Sequence, residues 1–187
     1  NDFGNNIIAI LLRDGRNRYA YHFKGYWKDV GTISSLWEAN MEVLDPEHSG
    51  INLFDENWKI YSRNSGMTGH RIKKGAVVEN SMITDGCVVS GTVKHSILFA
   101  GVQVEPGAVV EDAVVMGGTI IKSGAVVQHC IVAENVVIGE NAVVGAMPTE
   151  DEKGVATIGS DVYIGDNAKI GPNAMVSNNV KGGEEQW

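Results

Sequence analysis

Several things are missing from this 187-residue chain, and each absence removes a class of function. It has two cysteines, Cys87 and Cys130, far apart and with no CxxC or Cys-His spacing. That excludes a disulfide framework and a cysteine-built zinc site. Both cysteines fall in slots reserved for small inward side chains, so they read as buried, reduced thiols of a cytoplasmic protein. No apolar run approaches the ~20 residues that span a bilayer. Lys and Arg number 15 against 23 Asp and Glu, for a net charge of −8. Such a balance argues against nucleic acid or a membrane surface as partner. The start, Asn1-Asp2-Phe3-Gly4, is neither an initiator sequence nor a signal peptide. It reads as a chain cut from a longer one. Neither GxGxxG nor GxxxxGK[ST] occurs; residues 154–160 come closest to the second but lack its lysine.

What is present is a repeat. Residues 72–145, read in sixes, return to the same residue types. Examples are Val104-Glu105-Pro106-Gly107-Ala108-Val109, Ile121-Lys122-Ser123-Gly124-Ala125-Val126 and Ile138-Gly139-Glu140-Asn141-Ala142-Val143. After a gap the rule resumes in Ile158-Gly159-Ser160-Asp161-Val162-Tyr163, Ile164-Gly165-Asp166-Asn167-Ala168-Lys169 and Ile170-Gly171-Pro172-Asn173-Ala174-Met175. Short strands with an aliphatic residue inward, turned at Gly, Asn, Asp or Ser, predict a β-solenoid. The pattern resembles hexapeptide proteins, which implies a left-handed parallel β-helix with three hexads per coil. Counting hexads gives about four coils before Gly145 and about one after, a column on the order of 20–25 Å. The repeat slips by one residue at Ile83, near Leu98 and Phe99, and at Ile121, so irregular corners are expected there. Val109 and Ile138 are expected to point inward.

Around this core the sequence divides into residues 1–46, a connector at 47–69, the β-helix at 70–179 with a projecting loop at 146–157, and a tail at 180–187 expected to be disordered or loosely docked. Asn6 to Leu12 reads as the end of a helix stopped by Asp14-Gly15. Tyr19-Ala20-Tyr21-His22-Phe23 alternates and reads as a strand. A helix is expected from about Ser34 to Leu44, with Ser35 and Glu38 suiting a capping box, Thr32 as the other candidate cap, and Asp45-Pro46 ending it. Leu36, Ala39, Met41 and Leu44 would line its buried face. The connector is expected to be irregular, extended at 51–54 and 58–61, with Trp58 and Tyr61 packed against something.

Phe23-Lys24-Gly25-Tyr26-Trp27-Lys28-Asp29-Val30-Gly31-Thr32, then Trp37-Glu38-Ala39-Asn40-Met41, then hexapeptide repeats, resemble the C-terminal part of glucose-1-phosphate adenylyltransferases (ADP-glucose pyrophosphorylases). Asp2-Phe3-Gly4-Asn5-Asn6-Ile7-Ile8 and Ser96-Ile97-Leu98-Phe99-Ala100-Gly101-Val102 are similar to further segments of that family. Ala9 departs from it, where a proline is expected. Beyond Gly145 the match is only generic hexapeptide. The resemblance implies that residues 1–46 are the last piece of a nucleotidyltransferase domain. It implies that the intact enzyme joins ATP and glucose 1-phosphate into ADP-glucose and pyrophosphate with Mg²⁺, for glycogen synthesis. It places Asp29 on that metal, in the intact enzyme only. The nucleotide-binding half has no counterpart here, so no catalytic residue is assigned to this chain alone. By itself it is expected to bind no cofactor and to make no ADP-glucose.

Other residues carry two readings each. Tyr26 and Trp27 are packing residues or a platform for the sugar substrate. Arg63, Arg71, Lys73 and Lys74, with His70 beside them, are a solvated patch or a site for a phosphorylated-sugar effector, as the family is often regulated. His95 and His129 are corner or surface histidines, or bases of a hexapeptide acyltransferase. A homo-oligomer assembled through the solenoid is implied by the family. Two other functions stay open: an independent hexapeptide acyltransferase, and a non-catalytic regulatory subunit of the same synthase.

Overall fold

The computed structural model describes residues 2–62 and 64–187. Its body is a parallel β-helix. On the first face Arg71–Ile72, Val88–Val89, Gln103–Val104, Ile120–Ile121, Val137–Ile138 and Tyr163–Ile164 pair in parallel, each with the next coil. A bridge from Ile164 to Val180 extends this ladder. The second face runs from Val77–Glu79 to Glu185–Gln186 in a path of seven strands. The third face takes the ends of Val109–Val115 and Val126–Val132, with Ala156–Ile158 and Met175–Val176 above them. Seven coils at about 4.8 Å each make a column roughly 30 Å long, longer than the hexad count suggested.

The coils are also shorter than three full hexads. Arg71 pairs with Val88, seventeen positions on, and Val88 with Gln103, only fifteen on. The reason lies at two corners. At one, a single residue in the left-handed region makes the turn: Asn80 (φ 38), His95 (φ 41), Asp112 (φ 51) and His129 (φ 43) stack there in successive coils. One residue is thereby saved per coil, which accounts for the slips at Ile83 and Leu98; the slip assigned to Ile121 arises earlier, at Asp112. The fifteen-residue coil saves two more at Ser90-Gly91. There a Cβ on Gly91 would lie 2.4 Å from the Ala108 carbonyl oxygen, so the tight corner admits only glycine.

Inside the column, alternate positions bury completely: Ala125 with Val127, Ala142 with Val144, Ala168 with Ile170. Ile138 points inward, as expected. Val109 does not. Ala108 and Val110 are the buried pair, and Val109 between them faces outward, because a strand alternates its sides and a one-residue error inverts the assignment. Both cysteines are buried free thiols, and burial pushes both thiol pKa values up.

Four further expectations need correction. The tail is neither disordered nor loosely docked: Glu185–Gln186 pairs with Lys169–Ile170, and Val180 is buried. The excursion from the column ends before Ala156, since Ala156–Ile158 already pairs with the strand carrying Cys130. Residues 19–23 form no strand; Tyr19, Tyr21 and Phe23 are exposed, and alternation without a neighbouring ladder is not enough to make one. Trp58 and Tyr61 are exposed rather than packed. Among the described residues the connector otherwise lacks regular structure apart from the turn Pro46–Ser49 (α3), capped by Asp45.

At the amino end, a π-helical turn Phe3–Ile8 runs into a short helix Ala9–Arg13 (α1), which stops at Asp14 and Gly15. Its apolar side chains, Phe3, Ile7, Ile8 and Leu12 among them, stay exposed. Helix α2, Ile33–Glu42, is capped by Thr32, the other candidate, rather than by Ser35. The Thr32 hydroxyl accepts the Ser35 amide at 3.1 Å and the Ser35 hydroxyl accepts the Thr32 amide at 3.0 Å, a closed capping box. Serine at the third position fills the role expected of Glu38.

Candidate functional site

Helix α2 is the element through which the amino end meets the β-helix. Met41 buries against Val114, Ile131 and Val155, with Ile33, Leu36, Trp37 and Leu44 packed around them. Val114 and Ile131 are outward residues flanked by inward ones, Ala113 with Val115 and Cys130 with Val132. The unbroken apolar runs at 113–115 and 130–132 were the sequence signal for a covered outer face. Trp37 fixes the orientation. Its Nε1–H donates to the Asp112 carbonyl at 2.7 Å, and its ring meets the edge of His129 with centroids 4.4 Å apart. His129 is in turn within 3.3 Å of the Lys153 carbonyl through Nε2. His95 pairs with Asp112 one coil below. Both histidines are therefore corner residues engaged by neighbours, and His129 is buried under helix α2 rather than on the surface.

The other side of α2 holds the loop 25–32. Lys28 Nζ donates to Glu38 Oε2 at 2.9 Å and to Glu42 Oε1 at 2.7 Å. The Tyr26 hydroxyl donates to Glu42 Oε2 at 2.6 Å. Hydrogen bonding from Lys28, and next from Tyr26, holds the Glu42 carboxyl below its ordinary pKa; the Glu42 bond raises those of Tyr26 and Lys28. Asp29 follows directly. Its Oδ1 accepts the Gly31 amide at 3.2 Å, which closes a small turn ahead of the Thr32 cap and leaves the carboxylate exposed. Among the described residues there is no group of three or more His, Cys, Asp or Glu able to hold a metal ion. Asp29 can supply one ligand, not a site.

Tyr26, Trp27, Lys28, Glu42, Asp45, His48 and Ser49 line a hollow of about 440 Å³. Trp27 is 75% exposed. Tyr26 is half-buried by its bond to Glu42, a partner the sequence reading did not identify. Arg71, Lys73 and Lys74 stand exposed on the first coil and make no ion pair among the described residues; Arg63 lies outside the described residues. The structure thus joins Tyr26, Trp27 and Asp29 in one loop, while the basic residues sit on a coil that α2 does not cover. Among the described residues no helix is long and apolar enough to cross a membrane.

Two family models match. Residues 1–46 match the nucleotidyl transferase model, and residues 66–164, more than half of the chain, match the model described as GlmU-like, C-terminal hexapeptide. The chain is 53% identical over 109 residues to a glucose-1-phosphate adenylyltransferase of Bacillus mycoides, covering 58% of this chain and 29% of the relative. It is 51% identical over 108 residues to one of Geobacillus stearothermophilus, covering 58% and 28%. The chain thus spans less than a third of the length of the curated relatives it matches. With the hexapeptide match covering most of the β-helix, the chain belongs to the GlmU-like C-terminal hexapeptide family.

Proposed function

We propose that this chain is the C-terminal portion of a glucose-1-phosphate adenylyltransferase, which makes ADP-glucose and pyrophosphate from ATP and glucose 1-phosphate. The observation that carries this reading is the loop 25–32. It leads through a closed capping box into a helix that docks on a hexapeptide β-helix, in a chain more than 50% identical to such enzymes over 109 residues. The reaction aligns a sugar phosphate with the α-phosphorus of ATP, so the protein's task is positioning and charge neutralisation. Asp29 fits as one carboxylate ligand of a Mg²⁺ whose other ligands come from outside this chain. That ion would neutralise phosphate charge. Lys28 and Tyr26, tied to Glu38 and Glu42, hold the Asp29 loop against α2, and Trp27 offers the sugar an aromatic face. Arg63, Arg71, Lys73 and Lys74 would take a phosphorylated-sugar effector. The solenoid, with Tyr163 and Met175 exposed on its flank, would serve a homo-oligomer, in a cytoplasmic setting.

The test is a chimera in which this chain replaces the corresponding C-terminal part of the Bacillus mycoides relative. The chimera is expected to form ADP-glucose, with Asp29→Asn lowering kcat at least a hundredfold. The 187-residue chain alone is expected to release no pyrophosphate above a blank. A folded chimera without activity, or an active Asp29→Asn chimera, overturns the reading.

A further inference from the structure

A cavity of about 670 Å³ lies on the solenoid side of helix α2, between the helix and the excursion 146–155. Ser34, Trp37 and Glu38 form its helix wall; Pro148, Thr149, Glu150, Lys153 and Val155 form its loop wall, with His129 below. It shares no lining residue with the Tyr26 hollow. We infer that this cavity is a binding site for an uncharged sugar ring.

The chemistry of the walls carries the inference. Trp37 and Pro148 give an apolar surface suited to the C–H face of a pyranose. The Trp37 ring is held still by its bond to Asp112 and its contact with His129, so the platform is formed before a ligand arrives. Around it stand two hydroxyls, two carboxylates and one ammonium, which match the donors and acceptors of sugar hydroxyls. Glu38 binds Lys28 through Oε2, and among the described residues its Oε1 has no partner. The loop wall is braced as well. The Thr149 amide donates to the Glu152 carbonyl at 2.8 Å, and the Glu152 amide to the Thr149 hydroxyl at 3.1 Å. Lys28 offsets Glu38 and Lys153 offsets Glu150, so the walls carry no net positive charge to hold a dianionic phosphate. The volume lies within the usual range for small-molecule sites.

Calorimetry of the 187-residue chain with maltose, D-glucose, glucose 1-phosphate and inorganic phosphate tests this. Saturable binding of maltose is expected, tighter than glucose 1-phosphate, with no binding of inorganic phosphate at this site. Glu38→Gln and Glu150→Gln should each weaken maltose several-fold, and Trp37→Ala at least tenfold. Because Trp37→Ala could loosen α2, the indole N–H resonance of Trp37, assigned by its loss in Trp37→Phe, gives a second readout and should shift with maltose. Glucose 1-phosphate binding that is tighter than maltose and is weakened by Trp37→Ala, maltose binding unchanged in both glutamine variants, or no saturable binding of any probe would each overturn the assignment.

Discussion

Ile138 and Val109 look alike in the repeat, yet only one is in the core. Ile138 is fully buried, while Val109 faces outward beside buried Val110. Ile138→Ala should cost about 2–5 kcal/mol and Ile138→Asp should collapse the coils around it. Val109→Thr should change stability by no more than about 0.5 kcal/mol. Urea unfolding of the three variants checks the assignment of faces; a Val109 variant as damaging as Ile138→Ala would reverse it. The cysteines give a second test at this scale. Burial raises both thiols above their ordinary pKa, so neither should react with a disulfide reagent in the native chain. Both should react in denaturant, two thiols per chain. Fast reaction of the native protein would contradict the packing of Cys87 and Cys130.

Helix α2 with its loop is one element with two functions. Its Trp37 and Met41 side seats it on the solenoid, and its Glu38 and Glu42 side holds Lys28 and Tyr26. The Glu42 carboxyl is depressed when folded, chiefly by Lys28 and then by Tyr26. Its contribution to stability is therefore present above the ordinary carboxylate pKa, and is lost as pH falls through the lower folded value. Tyr26 is raised, chiefly by Glu42, so its contribution is present below its ordinary value and is lost as pH rises through the higher one. An absorbance titration at alkaline pH should show one tyrosine ionising late, and Glu42→Gln should bring it back toward about 10. Superimposable curves for the two proteins would show that the bond from Tyr26 to Glu42 does not persist in solution.

At the scale of the whole molecule, the column is a stack in which each coil is stabilised by its neighbours. The final coil depends on residues 180–187, where Val180 is buried and Glu185–Gln186 joins the ladder. Ending the chain after Asn179 should lower the thermal midpoint by several degrees and leave Ile164 and Ile170 exposed at the tip. An unchanged midpoint would mean that the last strand adds nothing.

The hexad pattern determined the solenoid and its inward small residues, because a coil buries its own aliphatics at fixed local spacing. The helix after the aromatic loop 25–32 was legible for the same reason, since apolar face and stop signals are written within a few residues, but its cap fell to Thr32 with Ser35 rather than to Ser35 with Glu38. Coil length, the Val109 orientation and the docked tail were not legible, since they depend on which corner saves a residue and on which coil lies alongside. The contacts of Trp37 with Asp112 and His129, and of Tyr26 with Glu42, were decided only by tertiary structure. Their partners lie up to 92 positions apart, and no local pattern encodes a meeting between a helix face and a corner built from separate coils.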